Sequence, residues 1–149
     1  MKPYTRQASV TWWGTPHRGR GVMTTPSAIL KKASYASGRH NGQSGTNPPE
    51  LIAAAHAGSF SMTLANELGV AGYRPDQIQT MATVTMEEMP AGWTMTQIHL
   101  EVVATVPKAA ECEFIDATLR AKANCPISRL LNANISMSAK LNPCEKKHD

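Results

Sequence analysis

The chain has 149 residues, 42% of them hydrophobic and 17% charged, with a net charge of +4 and a pI near 9.1. That size suits one compact domain with a single core and no repeat or low-complexity linker; no apolar run reaches membrane-spanning length and no apolar leader with a cleavage site opens the chain, so a soluble, cytoplasmic protein is expected. The basic residues are scattered rather than gathered with aromatics, which argues against nucleic acid, and three cysteines at 112, 125 and 144 form no secreted disulfide framework.

In chain order, Ala8 to Trp13 and Gly21 to Thr25 read as two strands joined by a turn containing Gly14, Pro16 and Gly19, with a third short strand near Ser34 to Ala36. Residues 37 to 46 are rich in Gly, Ser and Asn and carry Arg39 and His40, the composition of a mobile loop of the kind on which function often sits. Asn47 is a good N-cap, Pro48 and Pro49 suit the first turn, and Glu50 stands at N3, completing a capping-box pattern. From Leu51 to Leu68 the only charge is Glu67, and small or apolar residues run all the way round, which predicts a buried helix. Gly69 and Gly72 supply its stop, with Val70 available for a hydrophobic contact after the last turn.

Ile78 to Met86 and Thr94 to Val106 then read as long strands separated by a connection at 87–92 that contains Pro90 and Gly92. The second alternates cleanly, with Ile98, Leu100, Val102, Ala104 and Val106 on one face. Glu111 to Asn124 predicts a helix with Phe114, Ile115, Leu119 and Ala123 as its buried stripe, and a last strand sets Ile135, Met137, Ala139 and Leu141 against polar neighbours. The order is strands, long helix, hairpin, helix, strand, an α+β arrangement with mostly antiparallel pairing. Its parts are the strands and loop of 1–47, a central helix over 48–69, strands and helices over 75–141, and a loose charged tail at 142–149. Sheets this small leave much of an all-round apolar helix uncovered, so a second subunit is the economical way to bury it.

Four pieces carry a resemblance to a known family: Gly45-Thr46-Asn47-Pro48 before the helix, Ala53-Ala54-Ala55-His56-Ala57-Gly58 within it, Phe60-Ser61-Met62, and the distant Asn124-Cys125-Pro126-Ile127-Ser128. Their order and spacing resemble the osmotically inducible protein C and organic hydroperoxide resistance family (OsmC/Ohr) of thiol-dependent peroxidases over nearly the whole chain. The resemblance implies an OsmC-like fold, an intertwined homodimer with paired central helices and active sites at the interface, an organic hydroperoxide substrate, a thiol or dithiol reductant, and no cofactor or metal.

It also implies four site residues. The family's peroxide-attacking cysteine falls on Ser59, whose hydroxyl stays protonated at neutral pH and has no oxidised state comparable to a sulfenic acid. The resolving cysteine falls on Cys125, just before Pro126 at what reads as a helix N-terminus, where free N–H groups and the dipole favour a thiolate. The family arginine falls on Arg39, with Arg18 and Arg20 as fallbacks; a guanidinium lowers a thiol's pKa and donates to a peroxide oxygen. The family glutamate falls on Pro49, one place before Glu50, and a one-place shift turns a helical side chain by about 100°. Ten helical residues span about 15 Å, so in the family that glutamate meets the nucleophile across subunits or through a non-helical first turn. Ser59 is either a single engineered exchange or natural divergence; the coincident change at Pro49 favours divergence. Read without the family, Glu50 is a helix cap and Cys125 a small buried apolar residue. His56 stands three residues before Ser59, but no Gly-x-Ser-x-Gly elbow supports a serine hydrolase. The histidines show no metal-binding spacing, the methionines read as core filler or as lining for an apolar hydroperoxide, and Cys112 and Cys144 have no assigned role.

Overall fold

A computed structural model of the chain describes residues 2–36 and 44–143. It holds six strands and three helices: β1 (Ser9–Trp13), β2 (Arg20–Thr24), β3 (Ala33–Tyr35), α1 (Pro48–Val70), β4 (Gln77–Met89), β5 (Gly92–Thr105), α2 (Glu111–Asn124), α3 (Pro126–Leu130) and β6 (Asn134–Asn142). The contacts divide the chain into two units, Met1–Leu51 and Ile52–Asp149. The α+β class and the element order agree with the sequence patterns.

In the N-terminal unit, β1, β2 and β3 form an antiparallel sheet in chain order. Gly21 is required at its centre, because a Cβ there would lie 2.2 Å from the Tyr35 ring, which itself sits 5.4 Å from the Trp12 ring. Past β3, Thr46 exchanges backbone hydrogen bonds with Ser34 and Ala36, and this fixes the entry to α1. There Asn47 Oδ1 accepts from the Glu50 N–H at 2.9 Å, as an N-cap should. The Glu50 carboxylate takes the Thr46 hydroxyl at 2.9 Å, so one half of the expected capping box is exchanged for a side-chain partner one residue earlier.

In the C-terminal unit, β4 and β5 form a long antiparallel hairpin closed at Met89↔Gly92. The strands run through most of the segment expected to be loop, because Gly92 accepts a φ of 109° and allows a tight turn around Pro90-Ala91. β6 lies on the other side of β5 and runs parallel to it. A parallel neighbour requires a crossover, and α2 with α3 supplies it. The mostly antiparallel expectation therefore holds with this one exception.

The core lies where α1 and α2 meet the inner face of this sheet. Ile98, Leu100, Val102, Ala104 and Val106 are all buried, as their alternation predicts. Against them stand Phe60, Leu64 and Leu68 of α1 and Phe114, Ala117 and Ala121 of α2, with Cys125 at the end of the same cluster. The α2 stripe differs from the expected one: Leu119 is 55% exposed and Ala123 is exposed, whereas Ala117, Thr118 and Ala121 are buried. Small residues let the helix sit close to the sheet, and size rather than hydropathy chose the face. α1 also differs from all-round burial, since within one chain it buries a single stripe of His56, Phe60, Leu64 and Leu68. Its end follows the glycine rule, with Gly72 at φ 89° and hydrogen bonds from Gly72 to Gly69 and Tyr73 to Leu68. Tyr73, not the exposed Val70, packs on the core after that turn.

Candidate functional site

The i, i+4 stripe that buries α1 also aims the residues beside it. Ser59 precedes Phe60, and with Phe60 seated in the core the Ser59 side chain is turned toward the α2–α3 junction, half-buried. Cys125 occupies that junction as the C-cap of α2 and the N-cap of α3, fully buried. Its Sγ lies 3.3 Å from Ser59 Oγ, although 66 positions separate the two in sequence. The helices are clamped about two turns further along α1. The Glu67 carboxylate accepts from Asn124 Nδ2 at 2.9 Å and from Arg120 Nε at 3.0 Å, so the residue just before Cys125 is tied to α1. Those two donors, Asn124 first, hold the Glu67 carboxyl below its ordinary pKa.

Burial pushes the Cys125 thiol up, but the Ser59 hydroxyl, the backbone N–H and hydroxyl of Ser128 and the N–H of Ile127 outweigh it, and the net direction is below an ordinary cysteine. Ser128 in turn meets His56: His56 Nε2 and Ser128 Oγ are 2.7 Å apart, and the imidazole is fully buried. Burial lowers the His56 pKa and keeps the ring neutral. Two hydrogen-bonded pairs, His56 with Ser128 and Ser59 with Cys125, therefore join α1 to the start of α3.

Of the residues singled out from sequence, Ser59 and Cys125 meet directly. Arg39, with His40, lies outside the described residues. Glu50 serves the entry of α1 within the N-terminal unit, where it binds Thr46. In that unit the Arg20 guanidinium lies 5.2 Å from the centre of the Trp13 ring, and the Arg18 backbone N–H bonds Thr15 Oγ1. The spacing of His56 to Ser59 suggests a pair, but the partner of His56 is Ser128, to which the sequence assigns no role. The one available signal was the placement of Ser128 three residues after Cys125, where a first-turn N–H and hydroxyl both point back to a cap position. Among the described residues no group of three or more His, Cys, Asp or Glu is placed to hold a metal ion, and no helix is long and apolar enough to cross a membrane.

The site pairs a hydroxyl at position 59 of α1 with a thiol at the start of α3, on an α+β scaffold with a crossover to a parallel edge strand. The family model described as OsmC-like protein matches residues 40–140, and the chain belongs to that family. It is 39% identical over 137 residues to the protein named peroxiredoxin OsmC from Escherichia coli, covering 91% of this chain and 96% of that one. Among solved structures, an OsmC-like protein of unknown function from Vibrio cholerae superimposes with a TM-score of 0.76 at 12% identity, over 92% of this chain and 99% of its own. An organic hydroperoxide resistance protein OsmC from Legionella pneumophila matches with a TM-score of 0.69 at 19% identity, over 96% and 100% of the two chains.

The buried neutral His56 has a consequence for stability. Its folded pKa lies below the unfolded value, so as pH falls below about 6.5 the unfolded chain takes up a proton that the folded one refuses, and stability declines until the folded pKa is passed. The urea midpoint of the unchanged protein is expected to drop more between about pH 7 and pH 5 than that of His56→Gln, which lacks the titrating ring. Equal drops in the two proteins would show that His56 is not held neutral by the fold.

Proposed function

We propose that this chain is an OsmC-type thiol-dependent reductase of organic hydroperoxides whose first step is disabled by a hydroxyl at position 59. The observation that carries this reading is the 3.3 Å approach of Ser59 Oγ to Cys125 Sγ. With sulfur at position 59, its thiolate would attack the terminal peroxide oxygen, releasing the alcohol and becoming a sulfenic acid. The Cys125 thiolate would then attack that sulfenic sulfur and expel hydroxide, leaving a disulfide for two external thiols to reduce. Ser59 keeps the shape of this arrangement and removes its first event, because a protonated alcohol has neither the nucleophilicity nor the oxidised state the sequence requires. Arg39 is assigned to orient the peroxide, with Arg18 and Arg20 as alternatives, and Glu50 to the helix cap rather than to acid–base work. A reducing, cytoplasmic setting suits a site that depends on free thiols.

We further infer a homodimer packed through α1. Ala54, Ala55, Gly58 and Met62 form an exposed strip on the helix, Met62 is 77% exposed, and a Cβ added at Gly58 meets nothing within 4 Å. A glycine in mid-helix costs about 0.5–1 kcal/mol relative to alanine, and close approach of a second helix is the gain that offsets it.

Two measurements test these readings. Turnover of cumene hydroperoxide with a dithiol is expected to be near background for the unchanged chain and to rise by roughly 100-fold or more in Ser59→Cys. Full activity of the unchanged chain, or no gain in the substituted one, would contradict the peroxidase reading, the latter favouring a silent protein that binds a small hydrophobic or oxidised ligand. Gly58→Arg fits an isolated helix without a clash, so in a monomer it should be neutral or stabilising by about 1 kcal/mol. In a dimer joined through α1 it should shift sedimentation from two subunits to one, and an unchanged sedimentation coefficient would rule out that interface.

A further inference from the structure

We propose that the N-terminal sheet carries a binding site for an organic carboxylate with an apolar body, held by the Arg20 guanidinium beside the Trp13 ring. The two units differ sharply in charge. Residues 1–51 contain seven lysines and arginines and a single carboxylate, Glu50, whereas residues 52–149 contain eight and ten. Glu50 is engaged by the Thr46 hydroxyl at 2.9 Å, so the unit Met1–Leu51 has no further carboxylate of its own to offer its cations. A field of one sign over a small unit draws anions to it. Arg20 is the cation placed to receive one: its guanidinium lies 5.2 Å from the centre of the Trp13 ring, and no carboxylate among the described residues pairs with it.

Strand alternation puts the two neighbouring tryptophans on opposite faces of the sheet. On one face the Trp12 ring covers Gly21 and stands 5.4 Å from the Tyr35 ring, and its indole N–H donates to the Gly14 carbonyl, so this ring is occupied within the fold. On the other face Trp13 has Arg20 as its cross-strand partner and is 47% exposed. A cavity of about 320 Å³, a small-molecule size, lies beside that pair, and Val22, Ser34, Ala36 and Ser44 are among the residues that line it. The indole, Val22 and Ala36 suit an apolar body. A guanidinium packed on an aromatic face keeps its N–H edge free to grip a carboxylate through two parallel hydrogen bonds. Two other cavities lack this combination: one at Gln7, Ser9 and Thr25 has no charged group, and one at Val106, Lys108 and Leu141 has no aromatic ring. An inorganic anion would use the cation and leave the ring idle, and a neutral apolar molecule would do the reverse. A carboxylate with an apolar body uses both.

The site lies within the N-terminal unit and does not rest on the reading of position 59, so it stands whether or not Ser59→Cys gains turnover. It is tested by titrating the unchanged chain with octanoate at neutral pH and following the indole N–H of Trp13 and the backbone N–H groups of Val22 and Ser34 by nuclear magnetic resonance. These signals are expected to shift together in one saturable transition while the indoles of Trp12 and Trp93 move little. Octanol and inorganic phosphate, each offering half of the ligand, should bind more weakly by about tenfold or more. Arg20→Gln should weaken octanoate by about tenfold or more as well, and Arg20→Lys by less, since a lysine keeps the charge and loses the fork. The comparison of the three probes uses the unchanged chain and so holds whatever the variants do to folding. No saturable shift, a shift spread over all three indoles, octanol or phosphate binding as tightly as octanoate, or full octanoate binding by Arg20→Gln would each overturn the proposal.

Discussion

The contact between Ser59 and Cys125 depends on one packing constraint, the seating of Phe60, Leu64 and Leu68 against the β5 face beside Phe114, Ala117 and Ala121. A helix rotates as a rigid body, so burying this stripe leaves Ser59 no choice of direction. The same constraint sets His56 one turn below Phe60, under the start of α3. Glu67 closes the other end by holding Arg120 and Asn124, so that the backbone reaches Cys125 in register with α1. The site is a by-product of core packing, and its precision is that of the core rather than of a loop.

The chemical consequence follows from the company the sulfur keeps. Burial alone would raise the Cys125 pKa and make it an inert apolar residue. Hydroxyls and N–H groups directed at it reverse that direction. The serine at position 59 contributes one of these hydrogen bonds, at 3.3 Å. The chain thus keeps a buried thiol facing a hydroxyl at position 59.

Much of the scaffold was legible in the residues. Strict alternation over 98–106 identified β5 and its buried face, and Asn47 with two prolines and Glu50 marked the start of α1. The distant Cys125 was tied to position 59 only by resemblance, since nothing local in either segment points to the other. The misses share one cause, which is that period and composition do not report tertiary neighbours. The α2 stripe was placed by hydropathy on Leu119 and Ala123, whereas close contact with the sheet selected Ala117, Thr118 and Ala121. The parallel pairing of β6 is a property of the crossover, not of its own alternation. His56 stands three residues from Ser59, yet its partner is 72 positions away.

The central claim is that position 59 and Cys125 face each other across the α1 and α3 helices. It is tested most directly by treating the Ser59→Cys protein with one equivalent of an organic hydroperoxide and mapping its peptides without reduction. The account expects the peptide containing position 59 to be joined to the one containing Cys125, since atoms 3.3 Å apart need little movement to reach disulfide length. Linkage to Cys112 or Cys144 instead, or an oxidised position 59 that never joins Cys125, would contradict it.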